Sequence, residues 1–378
     1  MNYVKNVVVR VVSFGARGTV PTGTNLGVTM LFLLSLVGLA GVATFVATDD
    51  DDTIIGTADD DTIDGGAGND TITGQRGDDL LFGGEGDDDI QGSQDNDTIF
   101  GGTGDDDLRG AQNDDDIFGE AGNDLVFGDL GQDSLDGGLG FDTLNGGPGA
   151  DTLSGGPDAD TVRGGSGNDL IMESDDGAPG VNTDLLFGQN GHDTISGSSL
   201  DIISGGQGND VLTVDNVSDE TPALEISGDG GDDVIVGPAL SVEGGSGDDL
   251  IAGGVNQASG DDGNDTIVGG PNADVLGGEG EDEFIVDERE RGGPVNILDY
   301  DASEDTIVIA ASELGPNAPE DIVQRFSPDT NSIELIVEDE LGPRNIASVF
   351  GIEDETTVLE LTVIDATTLD EMLAQAVA

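Results

Sequence analysis

Asp61, Asp70, Asp79, Asp88, Asp97, Asp106, Asp115, Asp124, Asp133, Asp142, Asp151, Asp160 and Asp169 recur every nine residues, and further acids crowd beside them. Carboxylates a few ångströms apart repel by about 4 kcal/mol per close pair at a surface-like dielectric. A chain that repeats them this often either stays unfolded or brings its own counter-charge. The chemistry that suits such an array is ligation of a hard cation by oxygen, and calcium takes six to eight oxygen ligands. Other chemistries are poorly served. Cys is absent and His192 is the only histidine, which excludes a Cys nucleophile and Cys/His ligation of zinc. One histidine cannot make H-E-x-x-H, no G-x-S-x-G is present, and His192 reads as a solvent-facing spacer. Carboxylates paired inside repeated units read as metal ligands, not as an acid and base, so no catalytic residue is assigned and the chain reads as a non-enzyme.

The charge balance points the same way. Eighty acidic against 10 basic residues give 378 residues a net charge of −70. Self-repulsion on that scale opposes compaction unless cations bind, and it argues against a nucleic-acid partner. The 64 glycines are too many for ordinary helices or sheets, yet they show no three-residue collagen period. A disordered acidic tail is the bland alternative. Aliphatic residues at a strict period count against it once calcium is present, because disorder needs no register.

The elements that must position the carboxylates follow from the period. From 56 to 172 the chain divides into 13 consecutive nonapeptides. Position one is always Gly, position six always Asp, and position eight always Ile, Leu or Val. Glycine permits positive φ and close backbone approach, so positions one to six predict a tight turn. Positions seven to nine predict a short strand that sends position eight to one side and its neighbours to the other. One such strand cannot bury its aliphatic residue alone, whereas stacked strands build a narrow continuous core. Two repeats make a coil of 18 residues, with turns in two columns. Phe82, Phe100 and Phe118 fit that geometry, since all lie at position nine and are 18 apart. They predict an aromatic ladder that stiffens the sheet or offers a stripe to a surface or protein partner.

Repeats such as GGAGNDTIT and GGSGNDLIM resemble the RTX, or hemolysin-type, calcium-binding family, with its pattern G-G-x-G-x-D-x-U-x where U is aliphatic. Others, such as GSQDNDTIF, depart from it at positions two or four. The resemblance spans roughly residues 47–285. It implies an all-β parallel β-roll in which position-six carboxylates and carbonyls of glycine turns share calcium, about one ion per stacked pair of turns. Gly65, Gly83, Gly101, Gly137, Gly146 and Gly164 are the glycines carried over to that role. Asp78, Asp87 and Asp89, off the position-six phase, read as surface charge.

The pattern breaks at 173–187, where Asp184 and Leu186 keep phase, and resumes at Gly188. Further units place Asp193, Asp210, Asp233, Asp249, Asp265 and Asp282 as ligands, with Asp274 in a shortened unit. Spacers such as GPALSVE, GGVNQAS and VDNVSDETPALEIS complete coils without supplying ligands. The predicted domains are therefore an uninterrupted roll over 49–172, an interrupted one over 173–285, and a β-rich cap over 286–378 that ends in a short amphipathic helix or a loose tail and holds a possible export signal. A cap is physically required, because the last coil would otherwise bare a sheet edge.

Ahead of the roll, a tail over 1–26 carries Lys5, Arg10 and Arg17, and residues 27–48 are almost wholly apolar. Roughly 20 apolar residues span a bilayer as a helix, so this stretch predicts a membrane anchor with the acidic body exported. Its small residues leave a cleaved signal open, and a start at Met30 would remove the basic flank. The expected function is a calcium-folded, exported structural or adhesive protein at the cell surface or outside the cell. The alternative is a non-catalytic accessory or targeting module for a secreted enzyme or toxin supplied by another chain.

Overall fold

A computed structural model of the chain describes residues 29–30, 44–173, 182–198, 200–214, 222–287, 289, 292–311, 322–327, 330–339, 342–350, 352, 359 and 361–377. They form a parallel β-solenoid, and the chain divides into two compact units, Met1–Pro157 and Asp158–Ala378.

In the first unit each nonapeptide gives one strand, and strands pair with those 18 residues away. One sheet aligns Thr62, Leu80, Thr98, Asp116 and Ser134. The other aligns Thr71, Asp89, Asp107, Leu125 and Thr143. The coil is thus 18 residues, as the period predicts. Strands such as Thr62–Ala67 and Leu80–Glu85 alternate in burial. Ile63, Ile72, Leu81, Ile90, Ile99, Leu108, Ile117 and Val126 are all 0% exposed between the sheets. Each such burial stabilises by about 1.5–3 kcal/mol. Phe82, Phe100 and Phe118 stack on the outer face, with centroids 5.2 and 4.9 Å apart and planes within 10°.

The N-terminal helix predicted over 27–48 is corrected by the structure. Thr29–Met30 and Thr44–Val46 are strand, pairing in parallel as Thr29↔Asp52 and Thr44↔Thr62. Thr44, Phe45 and Val46 favour an extended chain, and Phe45, 8% exposed, lies opposite Ile63 as the first rung of the core. The rest of that stretch and the 1–26 tail lie outside the described residues. Among the described residues no helix is long and apolar enough to cross a membrane.

In the second unit the two-sheet plan persists while coil length varies. Equivalent aspartates are 24, 17, 23 and 16 residues apart as the chain passes from Asp169 to Asp193, Asp210, Asp233 and Asp249. The spacers GPALSVE and GGVNQAS enter the strands Ala239–Ser246 and Gln257–Asp262 and so complete coils, while part of VDNVSDETPALEIS lies outside the described residues. The cap then closes the unit. Val295–Ile297 pairs in parallel with Gly342–Val349, which runs antiparallel to Ser332–Asp339, itself antiparallel to Ile322–Ser327. Thr306–Ala311 pairs with Leu361–Asp365. The helix Ala366–Ala376 follows, capped by Asp365, whose side chain accepts the Thr367 N–H at 2.8 Å. Leu369 packs on Ile285, Val308 and Ala310. Arg289 bridges the helix to the roll through Asp370 at 2.8 Å and Asp287 at 2.6 Å.

Candidate metal centre

The turns make room for carboxylates in two ways. Position two sits at positive φ, as at Gly66 (+96°) and Gly84 (+116°), and residues such as Gln75 (91°), Ser93 (99°) and Ala111 (93°) adopt the same turn. Position one is glycine for a different reason. A Cβ at Gly65 would lie 2.5 Å from Asp70 Oδ2 and 2.6 Å from the Gly83 carbonyl oxygen of the next coil. The missing side chain is a cradle with two oxygens on its rim.

Into these cradles point two rows of aspartates per unit. In the first unit the Asp52 N–H donates to Asp70 Oδ1 (2.7 Å), Asp70 N–H to Asp88, and Asp88 N–H to Asp106, while Asp61, Asp79, Asp97 and Asp115 donate likewise along the other edge. In the second unit one row runs Asp169, Asp193, Asp210, Asp233, Asp249, Asp265, Asp282, Asp305. The other runs Asp160, Asp184, Asp201 and stops. Beyond it the same edge carries the buried Ala223, Ala239, Val255 and Ala273.

Along the rows Oδ1 is spent on an amide, from Asp70 to Asp151 in the first unit and from Asp184 to Asp305 in the second. Oδ2 is buried without a hydrogen-bond partner in Asp70, Asp79, Asp88, Asp97, Asp106, Asp115, Asp124 and Asp133, and in Asp193, Asp210, Asp233, Asp249 and Asp265. Burying an ionised carboxylate uncompensated is expensive, and such groups are found paired, protonated or on metal. Burial accordingly pushes Asp79 and Asp88 up to about 6, Asp97 and Asp106 to about 7, and Asp115 and Asp233 to about 8. The amide bond opposes the shift, and neighbouring carboxylates add to it.

Among the described residues no three His, Cys, Asp or Glu side chains converge on one point. A cation here must therefore take main-chain oxygen as well, and the cradle presents it. Carbonyl oxygens of Gly83, Gly101, Gly137 and Gly146 lie in the same cradles as Asp70, Asp88, Asp124 and Asp133 Oδ2, while Gly65 and Gly164 provide the Cβ-free space beside Asp70 and Asp169. An all-oxygen, carbonyl-rich donor set fits calcium and not a soft or borderline metal. When bound, calcium supplies the positive charge these oxygens lack.

All 13 aspartates of 56–172 are buried, and so are Asp193, Asp210, Asp233, Asp249, Asp265 and Asp282. Asp274 is the exception. It lies on a strand opposite Gln257 and Asn296, half-buried, and accepts from the Asn296 amide at 2.7 Å, so it stands outside the row. The buried residue before it is Ala273, because the shortened unit shifts the phase by one. The structure adds Asp52, Asp184, Asp201 and Asp305 as row members. It also adds a second, outer row at position five, where Asn69 Oδ1 accepts from Asp87 N–H, Asp87 from Asp105, and Asp105 from Asn123. Asp78 joins its counterpart by accepting from Asn96. Asp78 and Asp87 are thus turn ties as well as surface charge, and the recurrence of Asn or Asp at position five was the available signal. Asp89 is exposed. His192 occupies position five too: it is exposed, and its Nδ1 accepts from Asn209 N–H at 2.7 Å.

Two-stranded coils, glycine cradles and buried aspartate rows define a solenoid whose turns suit oxygen-ligated cations. The RTX calcium-binding nonapeptide repeat profile matches residues 46–81, 82–117, 100–135, 109–144, 136–171, 180–212, 197–219 and 252–284, together more than half of the chain. The chain belongs to the RTX calcium-binding repeat family. No curated protein matches it.

Proposed function

We propose that this calcium-binding repeat protein folds on calcium outside the cytoplasm and serves there as a structural or adhesive element. The observation that carries the reading is the series of buried Oδ2 atoms with no partner in either unit. Without a cation those carboxylates repel one another and oppose coiling. With calcium at about 10⁻⁴–10⁻³ M, the range of extracellular modules, ligation supplies folding free energy. Secretion is plausible for RTX repeats as a class. The reading is non-catalytic. Its support is that the only histidine, His192, is held as an acceptor in an outer turn row. The test is far-UV circular dichroism of the full chain during calcium titration, with EDTA and magnesium arms. The expected result is a cooperative gain of β signal with calcium alone. An equal signal in EDTA or magnesium refutes the reading.

A further inference from the structure

Four row aspartates differ in what meets Oδ2 from interior members such as Asp70, Asp106, Asp210 and Asp249, whose Oδ2 is buried without a hydrogen-bond partner. In the first unit, Asp52 Oδ2 accepts from Thr48 N–H and Thr48 Oγ1, both at 2.9 Å, and Asp61 Oδ2 accepts from Thr57 N–H at 2.6 Å. In the second unit, Asp201 Oδ2 accepts from Ser198 N–H at 2.5 Å, and Asp305 Oδ2 accepts from Asp301 N–H at 2.7 Å. The first pair begins the two rows of its unit, and the second pair ends the two rows of the other. Each donor lies three or four residues before its aspartate, within the same turn.

The backbone explains the division. Interior turns hold position two at positive φ, as at Gln75, Ser93, Ala111 and Gly84, whereas Thr48, Thr57, Ser198 and Asp301 do not have positive φ. A β-branched residue such as Thr57 disfavours that conformation. The turn therefore keeps the geometry in which its own amide reaches the carboxylate.

We propose that these four turns are metal-free caps, in which a main-chain N–H takes the place of the cation at Oδ2. Calcium is then confined to the interior turns. The cap turns are the part of each row whose polar atoms are satisfied before any ion arrives, so they give the neighbouring coil a formed edge to stack on. Their main-chain conformation, not the identity of the aspartate, decides whether a turn takes an ion.

The inference rests on the calcium reading above, and one experiment separates the two. Native mass spectrometry counts calcium ions on the full chain at calcium just above the folding midpoint. Asp61→Asn and Asp305→Asn each change one cap, in the first and the second unit respectively, so misfolding of one leaves the other to be read. Asp106→Asn and Asp249→Asn change interior turns. The expected result is an unchanged count for the cap variants and at least one ion fewer for the interior variants. A cap variant that loses an ion overturns the inference. A parent chain that binds no calcium overturns the calcium reading itself.

Discussion

Substituting Gly65→Ala isolates the cradle from the turn's φ requirement, because Gly65, unlike Gly66, does not need positive φ. The new Cβ would sit 2.5 Å from Asp70 Oδ2 and 2.6 Å from the Gly83 carbonyl oxygen. Both distances are about an ångström inside ordinary contact, and one neighbour is main chain. Either the coils separate or the Asp70 carboxylate swings out, which breaks its 2.7 Å bond from Asp52 N–H. Overpacking costs about 1–3 kcal/mol, and a hydrogen bond to a charged group contributes about 1.5–3 kcal/mol. A loss of about 4 kcal/mol is roughly three decades in the folding constant. If folding takes up on the order of ten ions together, that constant scales with about the tenth power of calcium concentration, so the midpoint rises only about twofold. Calcium titration followed by circular dichroism reads this shift. Asp70→Ala in the same background, by removing Oδ2, should make the Gly65→Ala cost smaller than it is alone. A midpoint unmoved by Gly65→Ala, or full additivity with Asp70→Ala, would refute the cradle argument.

In EDTA the roll should gain β signal as pH falls. The folded-state values of about 6 for Asp79 and Asp88, 7 for Asp97 and 8 for Asp115 lie above the ordinary 3.8, so the folded roll binds more protons than the open chain. That stabilisation is present in acid and is lost as pH rises through about 6 to 8; β signal that falls steadily on acidification in EDTA would contradict it. Ile117→Ala, at a fully buried rung between Ile99 and Leu135, should cost about 2–5 kcal/mol, read as a raised calcium midpoint at an unchanged ion count. Phe100→Ala removes both stacking contacts and should cost more than Phe82→Ala, which removes one, at about 0.5–1.5 kcal/mol per contact. Equal thermal melting of the two variants in calcium would argue that the ladder does not stabilise the sheet.

The regular part of the roll was legible because every level repeats together. Gly56, Asp61 and Ile63 each fix one feature of a turn and strand, and the 18-residue spacing of three phenylalanines fixes the coil. What the sequence hid lies where one level departs from the others. Asp274 looks like a ligand by neighbourhood, but the unit before it is short and Ala273 takes the inward place. Asp201 follows its glycine lead, Gly197, by four residues instead of five, and Asp305 has no glycine lead, yet strand register brings each to a row. The apolar run ahead of the roll reads as lipid-facing by composition, and Phe45 shows part of it serving as the first core layer. In the cap, Gly342–Val349 is a strand ordered by pairing with Ser332–Asp339, a tertiary contact that no local pattern carries.

The two side-chain rows also divide the labour between chain and ion. Position-six carboxylates accept from the preceding coil, as Asp88 does from Asp70, while position-five side chains accept from the following coil, as Asn69 does from Asp87. Turns with Asn or Asp at position five, such as those of Asn69 and Asp87, are therefore tied in both directions by bonds that need no metal. A slip of one residue would break both rows at once and turn every core side chain outward. Register thus belongs to the chain, through its aspartates, asparagines and glycines. The remaining deficit is electrostatic, a buried Oδ2 without a partner in turns such as those of Asp70, Asp106, Asp210 and Asp249, and on the function proposed above calcium answers it. On that proposal, an acidic chain written this way stays open where calcium is scarce and has a single structure to adopt where it is not.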